Sequence, residues 1–436
     1  MFNRSPQALW KILKDKTTAN DEARFQRNQT INITQGILSI MAINLVNPFL
    51  SIFAIKNGAT DYQVALLSSA PAFVSVLSMI PGARYIDKQP NKHRITTLVI
   101  FLHRLFYLVL AAIPFFDPSI RATLLVATIA LMNLPGSISN VGWQSFISRV
   151  IPPDRRALSF ATRNRLQNLV GTAFTLVAGR FLDIASFPLG YQLAFFLSFL
   201  LAMTEVWVFS RMDEPTSAPN PTPIIEAKTE NQGIVTGLKG AFLEIFHEKR
   251  FLRFVAASLV FHFAWQIPWS LFSLYQVRVL GANNTWVSIL SLINTGGSLM
   301  GYGYWTKYSQ KHGNLKTLFS SGIWIFVVPL AYAFSKSLYF VAIINLITGM
   351  VFSGVNLSLF NATLDSTPEK NKTSFLAYHQ TAISITAIFA PVIGVTLKNL
   401  FGFQIAFLIC AALRFGGAWC FWLVNKYENR QISTIK

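Results

Sequence analysis

A chain of 436 residues that is 52% hydrophobic and only 13% charged is too apolar for disorder and carries about half the charge of an ordinary soluble globule. Its balance is basic, 37 Lys+Arg against 18 Asp+Glu for a net charge of +19. The basic residues fall in short clusters between long apolar runs, which fits a polytopic membrane protein and not a nucleic-acid-binding face.

In chain order, residues 1–30 are polar and charged and hold no apolar core of a cleavable signal; Leu9, Trp10, Ile12 and Leu13 among Lys11, Lys14 and Lys16 read as an amphipathic cytoplasmic segment. Twelve stretches then have the roughly 20 mostly apolar residues needed to cross a bilayer. Six lie at 31–55, 62–82, 95–114, 121–150, 157–182 and 190–210, forming a first bundle over 31–210. A Pro/Ser/Thr/Asn-rich linker follows over 211–250, ending in an amphipathic helix with Leu238, Phe242, Ile245 and Phe246 at helical spacing. Six more lie at 251–279, 285–305, 315–334, 338–363, 374–398 and 403–425, forming a second bundle over 251–425, with a cytoplasmic tail at 426–436. The fold class is therefore an all-α polytopic membrane protein of two six-helix bundles. Most basic residues fall on one face if both termini are cytoplasmic, which sets the expected orientation in the plasma or inner membrane.

The halves repeat. A shift of 215 pairs Pro153 with Pro368, Ser159 with Ser374, Phe160 with Phe375 and Gly179 with Gly394; a shift of 223 pairs Ala59 with Ala282, Val64 with Val287, Tyr85 with Tyr308 and Asn91 with Asn314. Parallel six-helix repeats are a transporter architecture with the solute site at the midplane between halves.

Two loops carry a family resemblance. The run from Pro81 to Arg94 after the second span has Asp87, Lys88, Lys92 and Arg94 in a Gly-x-x-x-Asp-Arg/Lys-x-Gly-basic pattern, with Ala83 and Pro90 where the glycines belong. The loop Pro152-Pro153-Asp154-Arg155-Arg156-Ala157 is similar to a Pro-x-x-Arg-Gly-Arg loop, with Arg156 in place of glycine. On these residues the chain resembles the major facilitator superfamily over essentially its whole length. The resemblance implies a twelve-helix transporter, alternating access, and a cavity lined by helices one, four, seven and ten. It also implies that Asp87 latches the cytoplasmic side by facing the N-terminus of helix eleven near Ser374 and Phe375, where free N–H groups and the helix dipole favour an anion.

Ionisable and amide side chains inside membrane helices are the candidate functional residues. The seventh span holds His262, Gln266 and Trp269 at i, i+4 and i+7, with Trp265 on the same side, beside Pro268. With Asn133, Asn140 and Gln144 on the fourth span, Gln35 and Asn44 on the first, and Asn356 on the tenth, these form the candidate solute-binding set, helix–helix packing being the alternative for each. Asp87, Lys88, Arg94, Arg155, Arg163, Arg165 and His379 form the candidate gating set. Arg104 and Arg414 read as structural, with Glu205 the expected partner of Arg104. An Asp or Glu relay at mid-membrane is not evident, so His262 or His379 are the groups able to carry a coupling proton.

Cys410 and Cys420 lack metal or redox spacing, and no HExxH helix or nucleophile constellation is present, so the reading is a non-enzyme without cofactor or metal. The expected function is secondary transport of a small organic solute by a monomer. A multidrug exporter, a lipid flippase and a non-transporting receptor of the same fold are the alternatives.

Overall fold

The computed structural model describes residues 6–87, 89, 91–213, 248–368 and 372–435, with side chains described from Glu22 onward apart from scattered positions near the inner loops. The linker helix expected at 234–250 therefore falls largely outside the described residues, and so do the apolar side chains of the N-terminal segment. The first half comprises α1 (Pro6–Asn44), continued beyond a 3-10 turn at Asn47–Phe49 by α2 (Leu50–Lys56), then α3 (Asp61–Asp87), α4 (Lys92–Ala112), α5 (Pro118–Val150), α6 (Pro153–Ile184) and α7 (Leu189–Phe209). The second comprises α8 (Lys249–Gln266), continued by α9 (Trp269–Leu274) and a π turn, then α10 (Asn284–His312) and α11 (Asn314–Gly322), the last continued through a 3-10 turn by α12 (Val327–Phe334). It ends with α13 (Leu338–Ser366) and α14 (Lys372–Ile435), the latter two helices meeting at Gly402, whose φ of 78° suits a residue without Cβ.

Among the described residues, 9 stretches are long and apolar enough to cross a membrane. One of them, 378–428, holds both helices that meet at Gly402, and α6 and α10 have the length but are more polar. Each of the twelve expected spans thus has a helical counterpart. Three are interrupted for identifiable reasons. Pro48 and Pro268 each lack an N–H and crowd the preceding turn, so spans one and seven break beside them. Span nine tightens into a 3-10 turn at Ile323–Phe326.

The termini of the described chain lie at one end of the bundle, called inner here, and the turns at Gly58 and Gly281 at the other, outer end. Toward the outer end one buried apolar cluster runs through both halves, joining Phe49, Phe53, Tyr191 and Phe195 to Leu271, Leu274, Ala390 and Phe407. Toward the inner end the clusters among the described residues belong to single halves: Phe146, Ile147 and Phe209 in the first, Phe254, Phe421 and Leu318 in the second, with a small one at Phe251 and Phe375. Large apolar side chains such as Leu299, Tyr339 and Phe360 face outward, as a lipid-facing surface requires. Helices α10 and α13 pack backbone against backbone. A Cβ at Gly297 would overlap the Leu346 carbonyl, and one at Gly349 would overlap the Asn294 carbonyl.

Candidate functional site

In the first half six buried side chains with polar groups form one chain of contacts: Gln35, Ser39, Arg104, Tyr107, Arg163 and Glu205. The Arg104 Nε lies 2.9 Å from Glu205 Oε2, and the same guanidinium donates to Glu205 Oε1, Ser39 Oγ and Tyr107 Oη. Gln35 Nε2 donates to Glu205 Oε1 at 2.7 Å, and Gln35 Oε1 accepts from Arg163 at 2.7 Å. Arg163 stands over the Trp143 indole, 4.2 Å from its centroid. The expected Arg104–Glu205 pairing is present. Gln35, expected on a cavity wall, is buried as the link between a glutamate and a second arginine. Arg163, expected near a gate, is buried too, whereas Arg165 is exposed.

In the second half the expected stripe is split, and of its four residues Trp269 alone lies beyond the break at Ile267–Pro268. His262 and Gln266 turn into the contact between α8 and α14: the Ser258 hydroxyl lies 2.8 Å from His379 Nε2 and 3.2 Å from His262 Nδ1, and Gln266 Oε1 accepts from Thr386 at 2.8 Å. The four residues therefore do not share one wall. Trp265 and Trp269 instead line a cavity of about 350 Å³ with Phe272, Asn294, Asn345 and Phe352. Gln276, Tyr332 and Arg414 complete its walls. Arg414 was expected on a peripheral helix with a structural role; its side chain reaches inward, donating to the Trp265 carbonyl at 2.6 Å and more weakly to that of Ile325 at 3.4 Å. Both carbonyls belong to broken stretches of helix, the end of α8 and the 3-10 turn of span nine, where intrahelical partners run out.

The other amides are scattered. Asn44 donates to the Gly171 carbonyl on α6, and Asn133 to the Ile129 carbonyl of its own helix. Asn140 and Gln144 are exposed and bonded to each other, with Gln144 beside a second cavity of about 370 Å³ bounded by Trp143, Arg156 and Phe160. Asn356 is exposed. Of the inner-loop residues, Arg94 is exposed and its backbone N–H is capped by Asn91, and Arg155 pairs with Glu22 at 2.6 Å. Lys88 and the side chains of Asp87 and Ser374 lie outside the described residues, so the expected inner latch does too.

At the outer end a polar seam joins the halves. Asp61 pairs with Arg278 and Lys398, and Arg278 also donates to the Ala59 carbonyl at 2.5 Å. Asp183 accepts from the backbone N–H groups of Asn284 and Thr285 at 3.0 and 2.7 Å and from Asn284 Nδ2 at 2.9 Å. These are the first N–H groups of α10, so a carboxylate of one half caps a helix N-terminus of the other. Burial raises the Asp183 carboxyl, but the hydrogen bonds from Thr285 and Asn284 outweigh it and hold the group below its ordinary value. Tyr191 donates to Asn284 Oδ1 at 2.7 Å, Ser288 to the Thr175 carbonyl at 2.9 Å, and a Cβ at Gly179 would overlap Ser288 Oγ. The expected place for this anion-on-helix geometry was Asp87, and Asp183 was not among the expected site residues. The run Asn283-Asn284-Thr285 opening a helix was the available signal, since Asn283 caps α10 by accepting from the Trp286 N–H.

A two-bundle helical membrane protein with a polar seam on one face matches a known family. The model of the Major Facilitator Superfamily aligns with residues 34–314 and 278–434. The chain belongs to that superfamily. It is thus a secondary transporter spanning a membrane many times, with a small-molecule substrate, and not an enzyme. Solved superfamily structures share the fold at low identity. A single-residue variant of the nucleoside transporter NupG aligns with a TM-score of 0.67 at 13% identity, covering 90% of this chain and 99% of its own. A bacterial homologue of the human lysosomal transporter Spinster, inward-facing and unoccupied, gives 0.65 at 12%, covering 93% and 97%. The human organic anion transporter MFSD10 gives 0.62 at 13%, covering 91% and 99%. No curated protein matches the chain in sequence. At such identities the likeness speaks for the major facilitator fold, and the solute must be sought in this chain's own residues.

Proposed function

We propose that the protein moves a small organic solute across the cell membrane by rocking its two halves about the cavity beside Trp265, Trp269 and Arg414. The observation that carries this reading is the asymmetry of the core among the described residues: one apolar cluster spans both halves at the outer end, and the inner clusters stay within single halves. Such a molecule is closed outside and separable inside. The seam at Asp61, Asp183 and Asn284 is what must break to expose the cavity on the other face. In the state that closes the inner face, Asp87 and Lys88 would form the opposing latch, with Arg94, Arg155, Arg163, Arg165 and His379 in the surrounding gate. The chain acts as a monomer with both termini cytoplasmic, and His262 and His379 are the groups available to a coupling proton.

The test is uptake into proteoliposomes, with Gly179→Val as control, because a side chain there collides with Ser288 and the Asn284 carbonyl. Wild-type vesicles should accumulate at least one solute class among nucleosides, carboxylates, sugars and lipophilic cations. Gly179→Val should lose flux and leave outer-face cysteine probes more reactive. Flux unaffected by Gly179→Val, or no flux for any class, would overturn the reading.

A further inference from the structure

We infer that the solute is a small organic monoanion with an aromatic or apolar body, and that Arg414 receives its charge; this rests on the transport reading above. Arg414 is 2% exposed, and among the described residues it forms no ion pair with a carboxylate. Its two hydrogen bonds go to backbone carbonyls, and its Nε is buried with no partner at all. A guanidinium cannot discard its proton, so the charge is permanent. Carbonyl dipoles and the face of Phe272, 5.4 Å away, orient and soften that charge but do not neutralise it.

The cavity it lines has the rest of a binding site. Its volume of about 350 Å³ lies at the lower end for small-ligand pockets. Trp265, Trp269 and Phe352 offer flat apolar walls, and Asn294 and Asn345 supply neutral polar groups. Trp269 is 39% exposed, so the cavity is not sealed. With one N–H of each terminal nitrogen spent on a carbonyl and Nε buried, each terminal nitrogen keeps one N–H, and a carboxylate can take these two end-on. A single guanidinium among neutral walls fits one negative charge. A two-chain phospholipid carries the same charge but is far too large for this space.

Calorimetric titration of the full chain in a neutral detergent, with 2-naphthoate and its isosteric 2-naphthamide, tests this. The acid should bind at least tenfold more tightly than the amide, and Arg414→Gln should abolish the difference. Asn345→Leu, which fills cavity space and keeps the charge, should weaken both ligands; it keeps the test open if Arg414→Gln does not fold. Equal affinities, a preference that survives in folded Arg414→Gln, or unchanged binding to Asn345→Leu would each overturn the assignment. So would naphthoate failing to bind while phosphatidylglycerol nanodiscs stabilise the protein through Arg414, which would mark a headgroup site. Flux of a neutral solute without preference for acids sinks the charge assignment and spares the transport reading. Acid-selective binding without any flux does the reverse.

Discussion

In the first half Arg104 is buried against Glu205 at 2.9 Å, with Tyr107, Ser39 and Gln35 completing the shell; in the second, Arg414 is buried as deeply and its polar partners among the described residues are carbonyl oxygens, beside an aromatic face. Both sit on membrane helices, where an ionisable group is expensive unless paired. Arg104 has its anion in the chain, fixed at all times, and serves to hold α1, α4 and α7 together. Arg414 has none among the described residues and opens onto a cavity. Arg163 falls between them, since Gln35 ties it to the same glutamate and Trp143 covers its plane. Depth of burial alone does not tell a structural arginine from one awaiting a ligand; the partner list does.

Three single substitutions and one double replacement test that contrast by the stability of the detergent-solubilised protein to heat or denaturant. The largest loss should follow Glu205→Gln, which leaves Arg104 buried beside a neutral amide and should cost about 3–5 kcal/mol. Replacing Arg104 and Glu205 together by leucine should restore most of it, because no lone charge remains. Gln35→Leu comes next at about 1.5–3 kcal/mol, since it removes hydrogen bonds to Glu205 and Arg163 while the Arg104–Glu205 ion pair stays. Arg414→Met should change stability least, within about 1 kcal/mol, because the lost carbonyl bonds are offset by relief of an unpaired charge. A loss for Arg414→Met as large as that for Glu205→Gln would erase the contrast.

Much of the fold was legible because lipid imposes long apolar runs and basic inner loops, patterns that survive without any contact being known. The Arg104–Glu205 pair was legible for a related reason: few charges occur inside the helices, so partners are easily matched. The site was read less well. Helical periodicity put His262, Gln266, Trp265 and Trp269 on one side, but within α8 Trp265 lies about 100° around the axis from Gln266, so the tryptophans reach the cavity while His262 and Gln266 meet α14. Arg414 escaped because a position on the last span says nothing about how far a long side chain reaches. Gln35 escaped because an amide on a first span looks the same whether it faces a solute or links two charges.

The glycine contacts between α10 and α13 have a mechanical consequence. With Gly297 and Gly349 bringing backbone onto backbone, no compressible side-chain layer separates the two rods, and they behave as one stiff plate. Asn284 at the tip of that plate holds the outer seam, and Asn294 on the same helix lines the cavity, about 15 Å along the axis. With a solute bound as proposed, a tug at the cavity wall would reach the seam undamped, as a crowbar delivers the motion of its handle to its tip.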